Sequence, residues 1–425
     1  MKRIFTLLWL CTIALTAYAQ QPQISNFRPY SQNGVNIFEP PKEDDDLPDK
    51  VRVRIGGNFA LQYQSLDHEN KPFEQDGVVV NELLELGDNF NNATANLNLD
   101  VALLPGVRMN LVTYLSSRHH NEAWVKGGYL QVDAMEFLNS SLIDDIMDVI
   151  TIKVGHMEIN YGDAHFRRTD NANAMYNPFV GNLIMDGFTT EIGGEVYYRQ
   201  SGFLAMVAVT SGSLRGSALK QSEENITFYG KLGFDTDPAN DDDDDEIRLR
   251  ITGSIYNNSS LNRNTLYGGD RSGARYYHVL ANDASDFTTG RFNPGFNEVT
   301  SYMINPFIEF VGLEFFGTYE HTSGKKADGD KDGSYDQLAG ELIYRFGGTE
   351  QFYVGGRYNT VWGNDVNDAP ETRINRVQAD IGWFISKNIL MKVEYVKQEY
   401  KDFPEESLYS EGEFDGLMIE AAIGF

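Results

Sequence analysis

The chain has 425 residues, of which 62 are acidic and 35 are basic, and its formal charge at pH 7 is −27. Nucleic acid repels a surface of this sign, which argues against a nucleic-acid-binding protein. Cys11 is the only cysteine, so an intramolecular disulfide is excluded. After residue 20 no apolar run reaches the roughly 18–20 residues that a membrane helix needs.

Residues 1–19 have the pattern of a signal peptide. Lys2 and Arg3 precede an apolar run, and the small residues Ala17 and Ala19 end it. We therefore expect an exported protein. The next stretch, residues 20–50, contains the acidic run KEDDDLPDK and shows neither a strand period nor a helix period, so it is predicted to be a flexible, acidic, periplasmic N-terminal segment.

Apolar and polar residues alternate from Val51 onward, which is the pattern of a strand with one apolar and one wet face. The same alternation recurs along the chain and ends in a final strand that closes on Phe425. It predicts an all-β protein, with residues 51–425 forming a transmembrane antiparallel β-barrel of about 16 strands. The predicted strands after the first lie at 92–103, 107–117, 123–134, 149–158, 191–200, 202–211, 226–235, 246–258, 299–310, 312–322, 334–346, 350–361, 371–385, 388–400 and 413–425.

Short and long connectors alternate between these strands. In bacterial barrels short turns face the periplasm and long loops face outward, which predicts the orientation of the chain. The connector at 135–148 is an exception, because its apolar residues have helical spacing. The last strand, with apolar residues at alternate positions up to Phe425, is similar to the C-terminal signature of bacterial outer-membrane proteins. That likeness implies the outer membrane, its lipid and the barrel-assembly machinery as partners.

Residues 159–190 form a long segment, rich in Gly and Asn, that separates two predicted strands. A structureless loop of this length suits a barrel that folds one loop into its own lumen. We therefore predict an inward-folded third extracellular loop that forms the pore constriction. Its candidate constriction residues are Asp163, His165, Arg167, Arg168 and Asp170.

The polar faces of the strands carry many charges. An Arg or Lys at the lipid midplane costs roughly 2–4 kcal/mol, so these side chains are expected to face a wet lumen. A row of bases would offer repeated weak sites for anions; alternatively, the bases pair with inward acids and brace the wall. The predicted lumen-wall residues are Arg52, Arg54, Arg108, Lys153, Lys231, Arg248, Arg250, Arg345, Arg357, Arg376, Lys392, Glu341 and Glu394.

One acidic cluster matches the opening of a calcium-binding loop, in which alternate carboxylates surround the cation and Gly333 permits the turn. The acidic residue expected at the twelfth position is missing, because Ala339 stands there. We expect either a structural Ca²⁺ site or an ordinary polar hairpin, and no cofactor is required otherwise. The candidate calcium ligands are Asp328, Asp330, Asp332 and Asp336.

The segment KVGHMEINYGDAHFRRTDNANAMYNPFVGN, together with the last strand, resembles the phosphate-selective group of sixteen-stranded outer-membrane porins, and most closely its members from the Bacteroidota. The resemblance implies a homotrimer, an inward third loop and bases along the permeation path, to which Arg167 and Arg168 correspond. The expected function is passive diffusion of small hydrophilic solutes, with a preference for anions such as phosphate. Small sugars or peptides are alternative solutes.

Two other functions are weighed against the porin. A barrel of this kind could be an accessory subunit of a secretion or nutrient-uptake complex, with the 259–298 loop as its docking surface. The cluster Ser116, Ser117, His119 and His120 raises a more remote alternative, an outer-membrane enzyme that acts on lipid. Such an enzyme needs a nucleophile, a base and an orienting group in one geometry. No pattern in the sequence marks these roles, and we predict that the protein is not an enzyme.

Overall fold

The computed structural model describes residues 21–22, 24, 26–42, 50–116, 123–212, 214, 226–236, 247–259, 264–268, 276–285, 289–327, 329, 331–367 and 369–425. The predicted signal peptide at 1–19 lies outside these residues, and it stays a prediction.

Within the described residues sixteen long strands follow one another around a single antiparallel sheet, and each pairs with its neighbours in the chain. A two-residue strand, Asn89–Phe90, also pairs with the first of them, and Glu74–Gln75 pairs with Val78–Val79 in a separate small sheet. In chain order they are β1 (Arg52–Glu69), β2 (Thr94–Leu104), β3 (Val107–Leu115), β4 (Trp124–Val132), β5 (Ile150–Glu158), β6 (Thr190–Gln200), β7 (Phe203–Thr210), β8 (Thr227–Asp235), β9 (Arg248–Asn258), β10 (Glu298–Phe310), β11 (Leu313–Lys325), β12 (Gly333–Phe346), β13 (Phe352–Asn364), β14 (Thr372–Ser386), β15 (Ile389–Lys401) and β16 (Glu413–Gly424).

The first and last strands close the sheet into a barrel. β1 pairs with β16 from Asn58 opposite Gly424 to Glu69 opposite Glu413, while its other half pairs with β2. A closed sheet leaves no edge whose backbone groups lack partners, which a barrel needs if lipid surrounds it. The predicted all-β antiparallel barrel of about 16 strands is confirmed.

The two faces of each strand differ as the alternation predicts. In β8, Phe228 and Leu232 are exposed on the outside, while Tyr229 and Lys231 are buried inside. The same rule holds around the barrel, because the outward positions are mostly Val, Leu, Ile, Phe and Tyr. A slip of one residue in any strand would turn its charges outward, so this pattern determines the strand register.

The connectors differ in length at the two ends of the barrel. At the short-turn end they include residues 105–106, 201–202, 311–312 and 387–388. The connector between β4 and β5 lies at the same end and contains a 3₁₀ turn, Glu136–Leu138, and the short helix α1, Ser141–Met147, in agreement with the helical spacing of its sequence. In the described part of the chain, no helix has the length and apolar character that crossing a membrane requires.

Irregular segments contribute to the buried core inside the barrel, among them the connector between β9 and β10 through Tyr267, Tyr276 and Leu280. Two other irregular segments lie inside the wall. The first is residues 159–189, the third connector at the long-loop end, which we call the lumen loop. The second is residues 26–42, which we call the N-terminal segment. Val180, Ile184 and Met185 of the lumen loop pack against inward-facing wall residues, and Phe38 of the N-terminal segment packs against two wall phenylalanines.

The expectation of a flexible segment at 20–50 is therefore wrong for residues 26–42. Phe27 and Phe38 are buried, and the residues between them are held by hydrogen bonds to the lumen loop and to a turn of the barrel. The physical reason is that an absence of strand or helix period predicts irregular structure, whereas attachment depends on anchors such as these two aromatic rings. Residues 43–49, which hold most of the acidic run, lie outside the described residues.

Candidate functional site: the occupied lumen

The lumen loop crosses the interior of the barrel and contacts opposite sides of the wall. The backbone N–H of Gly162 donates to Ser254 Oγ in β9 at 3.0 Å, and that of Val180 donates to Glu394 Oε2 in β15 at 2.8 Å. Asn171 Nδ2 donates to Asn96 Oδ1 in β2 at 2.7 Å. The predicted loop thus lies where the sequence analysis placed it, inside the barrel.

The loop has almost no secondary structure of its own, so its backbone donors need other partners. Inward-facing amides of the wall supply them. Asn305 Oδ1 accepts from the N–H of Asp163 at 2.7 Å, and Gln337 Oε1 accepts from that of Met185 at 2.9 Å. Gly162 permits the entry of the loop, because its φ is +68° and a Cβ there would lie 2.1 Å from the sulfur of Met303.

Asp163 is fully buried between two bases of the wall. Its carboxylate accepts from Arg250 Nε at 2.8 Å and from Lys231 Nζ at 2.9 Å. Burial alone would raise the pKa of Asp163, but the charges of Arg250 and Lys231 outweigh it and hold that pKa well below its ordinary value. Asp163 is therefore ionised at neutral pH and offsets one of these two positive charges, while Glu39 and Asp235 also lie beside Arg250.

Arg167 and Arg168, the predicted constriction bases, are both buried and paired. Arg167 lies 3.1 Å from Glu314 and 3.4 Å from Glu341. Arg168 forms a two-point contact with Asp186, with N–O distances of 2.9 and 2.6 Å, and its guanidinium lies 3.8 Å from the ring centre of Phe188. In this geometry both guanidinium groups brace the loop, which corresponds to the alternative in which inward bases pair with acids.

The other two constriction candidates are also held within the protein. His165 Nδ1 lies 2.7 Å from Glu158, and its Nε2 lies 2.9 Å from Asn160 Oδ1. Burial lowers the pKa of His165, so the imidazole is neutral at pH 7. Asp170 contacts Lys126 and lies 3.8 Å from Arg168.

The predicted wall bases lie on the inner face, and most of them have a carboxylate partner across a strand pair. This compensation follows from the cost of placing an unpaired charge in a poorly hydrated interior. The pairs are Arg54–Asp100 at 2.6 Å, Arg108–Asp133 at 3.3 Å, Lys153–Glu195 at 3.5 Å, Arg248–Asp235 at 2.9 Å, Arg357–Glu341 at 2.8 Å, Lys392–Glu420 at 2.5 Å, and Arg345–Glu314.

Three of the predicted wall residues have other surroundings. Arg52 is half-buried at the start of β1. Arg376 is 2 % exposed and donates to Gln398 Oε1 at 2.5 Å and to the carbonyl oxygen of Asn182 at 2.6 Å. Glu394 accepts from the hydroxyl of Tyr276 at 2.7 Å as well as from the lumen loop. These contacts connect the wall to the segments that fill it.

The N-terminal segment lies against the lumen loop, and sequence reasoning missed it. Arg28 Nη1 donates to the carbonyl oxygen of Phe166 at 2.9 Å, and the hydroxyl of Tyr176 donates to that of Pro29 at 2.6 Å. Asn36 contacts Arg167. The available signal was the pair of buried aromatic positions, Phe27 and Phe38, inside a stretch that is otherwise polar.

A cavity of about 260 Å³ remains between the N-terminal segment, the lumen loop and strands β2–β6. Arg28, Arg108, Lys153 and Arg199 line it. Among the described residues neither Arg28 nor Arg199 has a carboxylate oxygen within 4 Å; Arg199 donates to the carbonyl oxygen of Pro40 at 2.8 Å. Burial lowers the pKa of Arg28 to about 10, as expected for a base whose charge is incompletely compensated.

Arg108 also has unused hydrogen-bonding capacity in this cavity. It is 3 % exposed, and its Nε has no hydrogen-bond partner in the part of the chain that the structure describes. Arg168 and the acids Glu39, Glu158 and Asp170 line the cavity as well, so five bases face three acids. The cavity therefore combines a small excess of bases with at least one buried donor that a ligand oxygen could satisfy. It can accept a small anion.

The candidate calcium cluster is only partly described. Asp328 and Asp330 lie outside the described residues. Asp332 lies 3.7 Å from Lys325 Nζ, and Asp336 accepts from the hydroxyl of Tyr319 at 2.9 Å. Where the structure describes the chain, it contains no group of three or more His, Cys, Asp or Glu side chains placed to hold a metal ion. Of the cluster raised for a lipid-acting enzyme, residues 117–120 likewise lie outside the described residues.

Comparison with known proteins gives matches in structure only. No protein-family model matches the chain, and no curated protein matches its sequence. The chain is similar to a loop L8 deletion variant of OmpT, an outer membrane protein of Vibrio cholerae, with a TM-score of 0.52 and 9% identity over 89% of this chain and 100% of that one. In-vitro folded OmpT from the same organism has a TM-score of 0.51 and 10% identity, and the match covers 89% of this chain and 98% of that chain.

A third similar structure is the outer membrane channel DcaP of Acinetobacter baumannii. The TM-score is 0.50 at 10% identity, and the match covers 88% of this chain and 98% of that chain. At such low identities a likeness carries the fold and nothing finer. This chain has the closed antiparallel barrel fold that these outer-membrane proteins share.

Proposed function

We propose that the protein is a porin of the outer membrane of a Gram-negative bacterium, through which small hydrophilic solutes diffuse passively. The observation that carries the proposal is the sidedness of the closed barrel, whose exterior is apolar and whose interior is ionic. Hydrocarbon favours such an exterior, and only water or polar protein favours such an interior. The short-turn end then faces the periplasm and the long-loop end faces outward.

The preferred solute in this proposal is an anion such as phosphate or a carboxylate. Support comes from the cavity, where Arg28, Arg108, Lys153 and Arg199 converge and two of the four have no carboxylate partner among the described residues. Pairing of Arg167 and Arg168 with acids removes them as the main attraction for the anion. The resemblance to the phosphate-selective group points to the same chemistry, and small sugars or peptides are the competing solutes.

Bilayer recording with the purified protein tests the function. In a gradient of KCl the reversal potential should show that chloride passes more readily than potassium. The double variant Arg28→Gln with Arg199→Gln should shift the reversal potential toward the value for a potassium-selective pore, because the two bases without a carboxylate partner among the described residues are lost. The control is Arg373→Gln, whose exposed guanidinium pairs with Glu371 on the outer face at 2.8 Å. A cation-selective wild type, or an equal shift in the control, contradicts the anion preference.

Assembly follows from the same proposal. The outward-facing Phe425 at the chain end pairs through its N–H with the carbonyl oxygen of Gly57 at 3.0 Å and fits recognition by the barrel-assembly machinery. A homotrimer in outer-membrane lipid rests on the resemblance to trimeric porins. Export by a signal peptide at 1–19 belongs to this proposal as well.

One observation favours a second function. The lumen loop and the N-terminal segment both lie across the interior of the described barrel, and a cavity of about 260 Å³ lies between them and strands β2–β6. A barrel closed in this way suits an accessory subunit of a secretion or nutrient-uptake complex. Stable copurification with a larger complex, combined with an absence of conductance, would favour this function over the porin. A lipid-acting enzyme has no support in the described geometry, and we propose no catalytic activity.

A structural Ca²⁺ at Asp328, Asp330, Asp332 and Asp336 remains a separate proposal, supported by alternate carboxylates around Gly333. Ca²⁺ that binds only the folded state stabilises it. The purified protein should therefore melt at a higher temperature in Ca²⁺ than in EDTA, and Asp330→Asn with Asp332→Asn should remove the difference. Equal melting temperatures in Ca²⁺ and EDTA would eliminate the site.

A further inference from the structure

The N-terminal segment enters the barrel at the short-turn end. The backbone N–H of Gln32 donates to the carbonyl oxygen of Lys387 at 2.7 Å, and Gln32 Nε2 donates to the carbonyl oxygen of Thr349 at 2.9 Å. Lys387 and Thr349 belong to two neighbouring turns of that end. The segment therefore lies beneath the lumen loop, on the side away from the long loops.

The wall has a seat for this segment. The main chain at Tyr30 runs close to Gly424 in β16, where an added Cβ would lie 1.8 Å from the carbonyl oxygen of Tyr30. The ring of Tyr30 covers Gly56 in β1, where an added Cβ would lie 2.3 Å from a ring carbon. Any larger residue at these two positions would push the segment away, so their glycines permit its close approach.

Two side chains anchor the far end of the segment. Phe38 is buried between Phe307, at a ring-centre distance of 5.3 Å, and Phe166, at 5.8 Å. Glu39 Oε2 accepts from Arg250 Nη2 at 2.7 Å, and its Oε1 lies 3.7 Å from Lys231 Nζ. Burial would raise the pKa of Glu39, but these two bases outweigh it and lower that pKa.

The attachment is reversible in principle, since it contains no covalent bond and no strand pairing. Its regular structure in the described residues is one 3₁₀ turn, Gln32–Gly34. Its hydrogen bonds to the wall and the lumen loop run mostly through side chains, and segments held in this way open at lower cost than strands inside a ladder. Arg250 and Lys231 would still hold Asp163 after the segment leaves, so the wall would not be left with bare buried bases.

We propose that residues 26–42 are a releasable plug, which closes the lumen from the short-turn end and is latched by Glu39 on Arg250 and Lys231. The inference rests on the proposed channel function, since a plug has meaning only in a conducting barrel. Release would open the periplasmic half of the lumen and leave the lumen loop in place. A solute carboxylate of the same geometry as Glu39 would compete for the latch.

The test uses the full chain with Glu39→Lys, which places a cation against the two bases, and the control Glu371→Lys on the exposed outer face. Conductance in planar bilayers is one readout, and hydrogen exchange of the segment amides is the second. Exchange is informative because the N–H of Gln32 donates to the carbonyl oxygen of Lys387 in the wall at 2.7 Å, a bond that release of the segment would break. We expect Glu39→Lys to raise open-channel conductance at least twofold and amide exchange about tenfold, with no change in the control.

The other outcomes overturn the plug. Faster exchange with unchanged conductance would show a segment that leaves the lumen without controlling it. Unchanged exchange and conductance in a conducting protein would remove the latch while sparing the channel function. An absence of conductance from the wild type and both variants would overturn the channel and the plug together.

Discussion

Arg167 shows how charge is handled at the scale of single residues. It bridges Glu314 and Glu341, and the same two acids are also held by Arg345 and Arg357. Loss of one member of a buried ion network leaves its partner uncompensated, which costs more than the pair itself contributes. The stability of such a network therefore depends on whether every buried charge in it has a partner of opposite sign.

Arg167→Ala should destabilise the folded barrel by about 1.5–3 kcal/mol, because a buried charged hydrogen bond to Glu314 is lost while Arg345 and Arg357 still compensate the two carboxylates. The measurement is equilibrium unfolding in urea from lipid vesicles. The matched control is Arg373→Ala, which breaks an exposed pair and should change stability by no more than about 1 kcal/mol. Equal effects of the two substitutions would contradict a buried network around Arg167.

The pH response of the lumen follows from Asp163. Its pKa in the folded protein lies below the ordinary value of 3.8, so its pairing with Arg250 and Lys231 stabilises the fold fully above that value and is lost as pH falls through the lowered pKa. Asp163→Asn should therefore lower the melting temperature by a constant amount between pH 8 and pH 5. The difference from wild type should shrink only below about pH 4. A difference that already shrinks between pH 7 and pH 5 would contradict the assignment.

Residue chemistry was predictable from sequence only in part. Alternation placed Lys231, Arg250 and Glu341 on the inner face, because the period of two is a local property. Their partners were not predictable, because Asp163 and Arg167 reach them from a loop distant in sequence. A resemblance that emphasised Arg167 and Arg168 could not reveal that acids already neutralise both.

At the scale of elements, the lumen loop is held by side chains of the wall rather than by secondary structure. Gln337 exchanges two hydrogen bonds with Met185, accepting from its N–H at 2.9 Å and donating to its carbonyl oxygen at 2.7 Å. A buried backbone group left without a partner costs roughly 1–3 kcal/mol. One wall amide therefore contributes substantially to the position of the loop.

Gln337→Leu should loosen the loop near Met185 without opening the barrel. We expect faster hydrogen exchange at the Met185 amide, by about one to two orders of magnitude, since 1.4 kcal/mol corresponds to a factor of ten. Single-channel recordings should become noisier, and amides in β12 and β13 should keep their protection. Gln351→Leu at the short-turn end is the control, because the side-chain Oε1 of Gln351 accepts exposed hydrogen bonds from the N–H and the hydroxyl of Thr349.

The two interior elements differ in how far sequence could predict them. The lumen loop stood out because it is long, polar and flanked by clear strands. The N-terminal segment lacked that contrast, since its acidic end suggested solvent and its anchors, Phe27 and Phe38, are isolated aromatic residues. Gly56 and Gly424, which permit the close approach of the segment, come together only when β1 pairs with β16. No local sequence pattern could therefore predict this contact.

The whole molecule is determined by one rule, that every strand has an apolar outer face and a polar inner face. Sequence could predict the barrel because this rule repeats in each hairpin and because closure requires no special residue beyond the pairing of β1 with β16. It could not predict how irregular segments would occupy the interior. That property depends on the lumen loop, the N-terminal segment and the connector between β9 and β10, none of which follows a period.

The sidedness of the barrel can be tested on its outer surface with Val207→Arg. Val207 lies in the middle of β7, is 67% exposed and pairs with Val196 and Gly230. If lipid surrounds this position, Arg there should cost roughly 2–4 kcal/mol in vesicles, whereas a substitution near the membrane interface should cost about 0–1 kcal/mol. Ile226→Arg, just before β8 at the long-loop end, is the interface control.

The free energy of folding of both variants should be measured by reversible folding into vesicles. For Val207→Arg it should also be measured in a detergent of short chain length and compared with the value in vesicles. The free-energy cost of Val207→Arg arises because the charged side chain is surrounded by hydrocarbon. It should therefore be smaller in the detergent, where the side chain reaches water more easily. A soluble barrel would show no difference between the two substitutions, because both side chains would already be hydrated. Equal stabilities of Val207→Arg and Ile226→Arg in vesicles would therefore contradict a membrane position for this barrel, and with it the proposed channel.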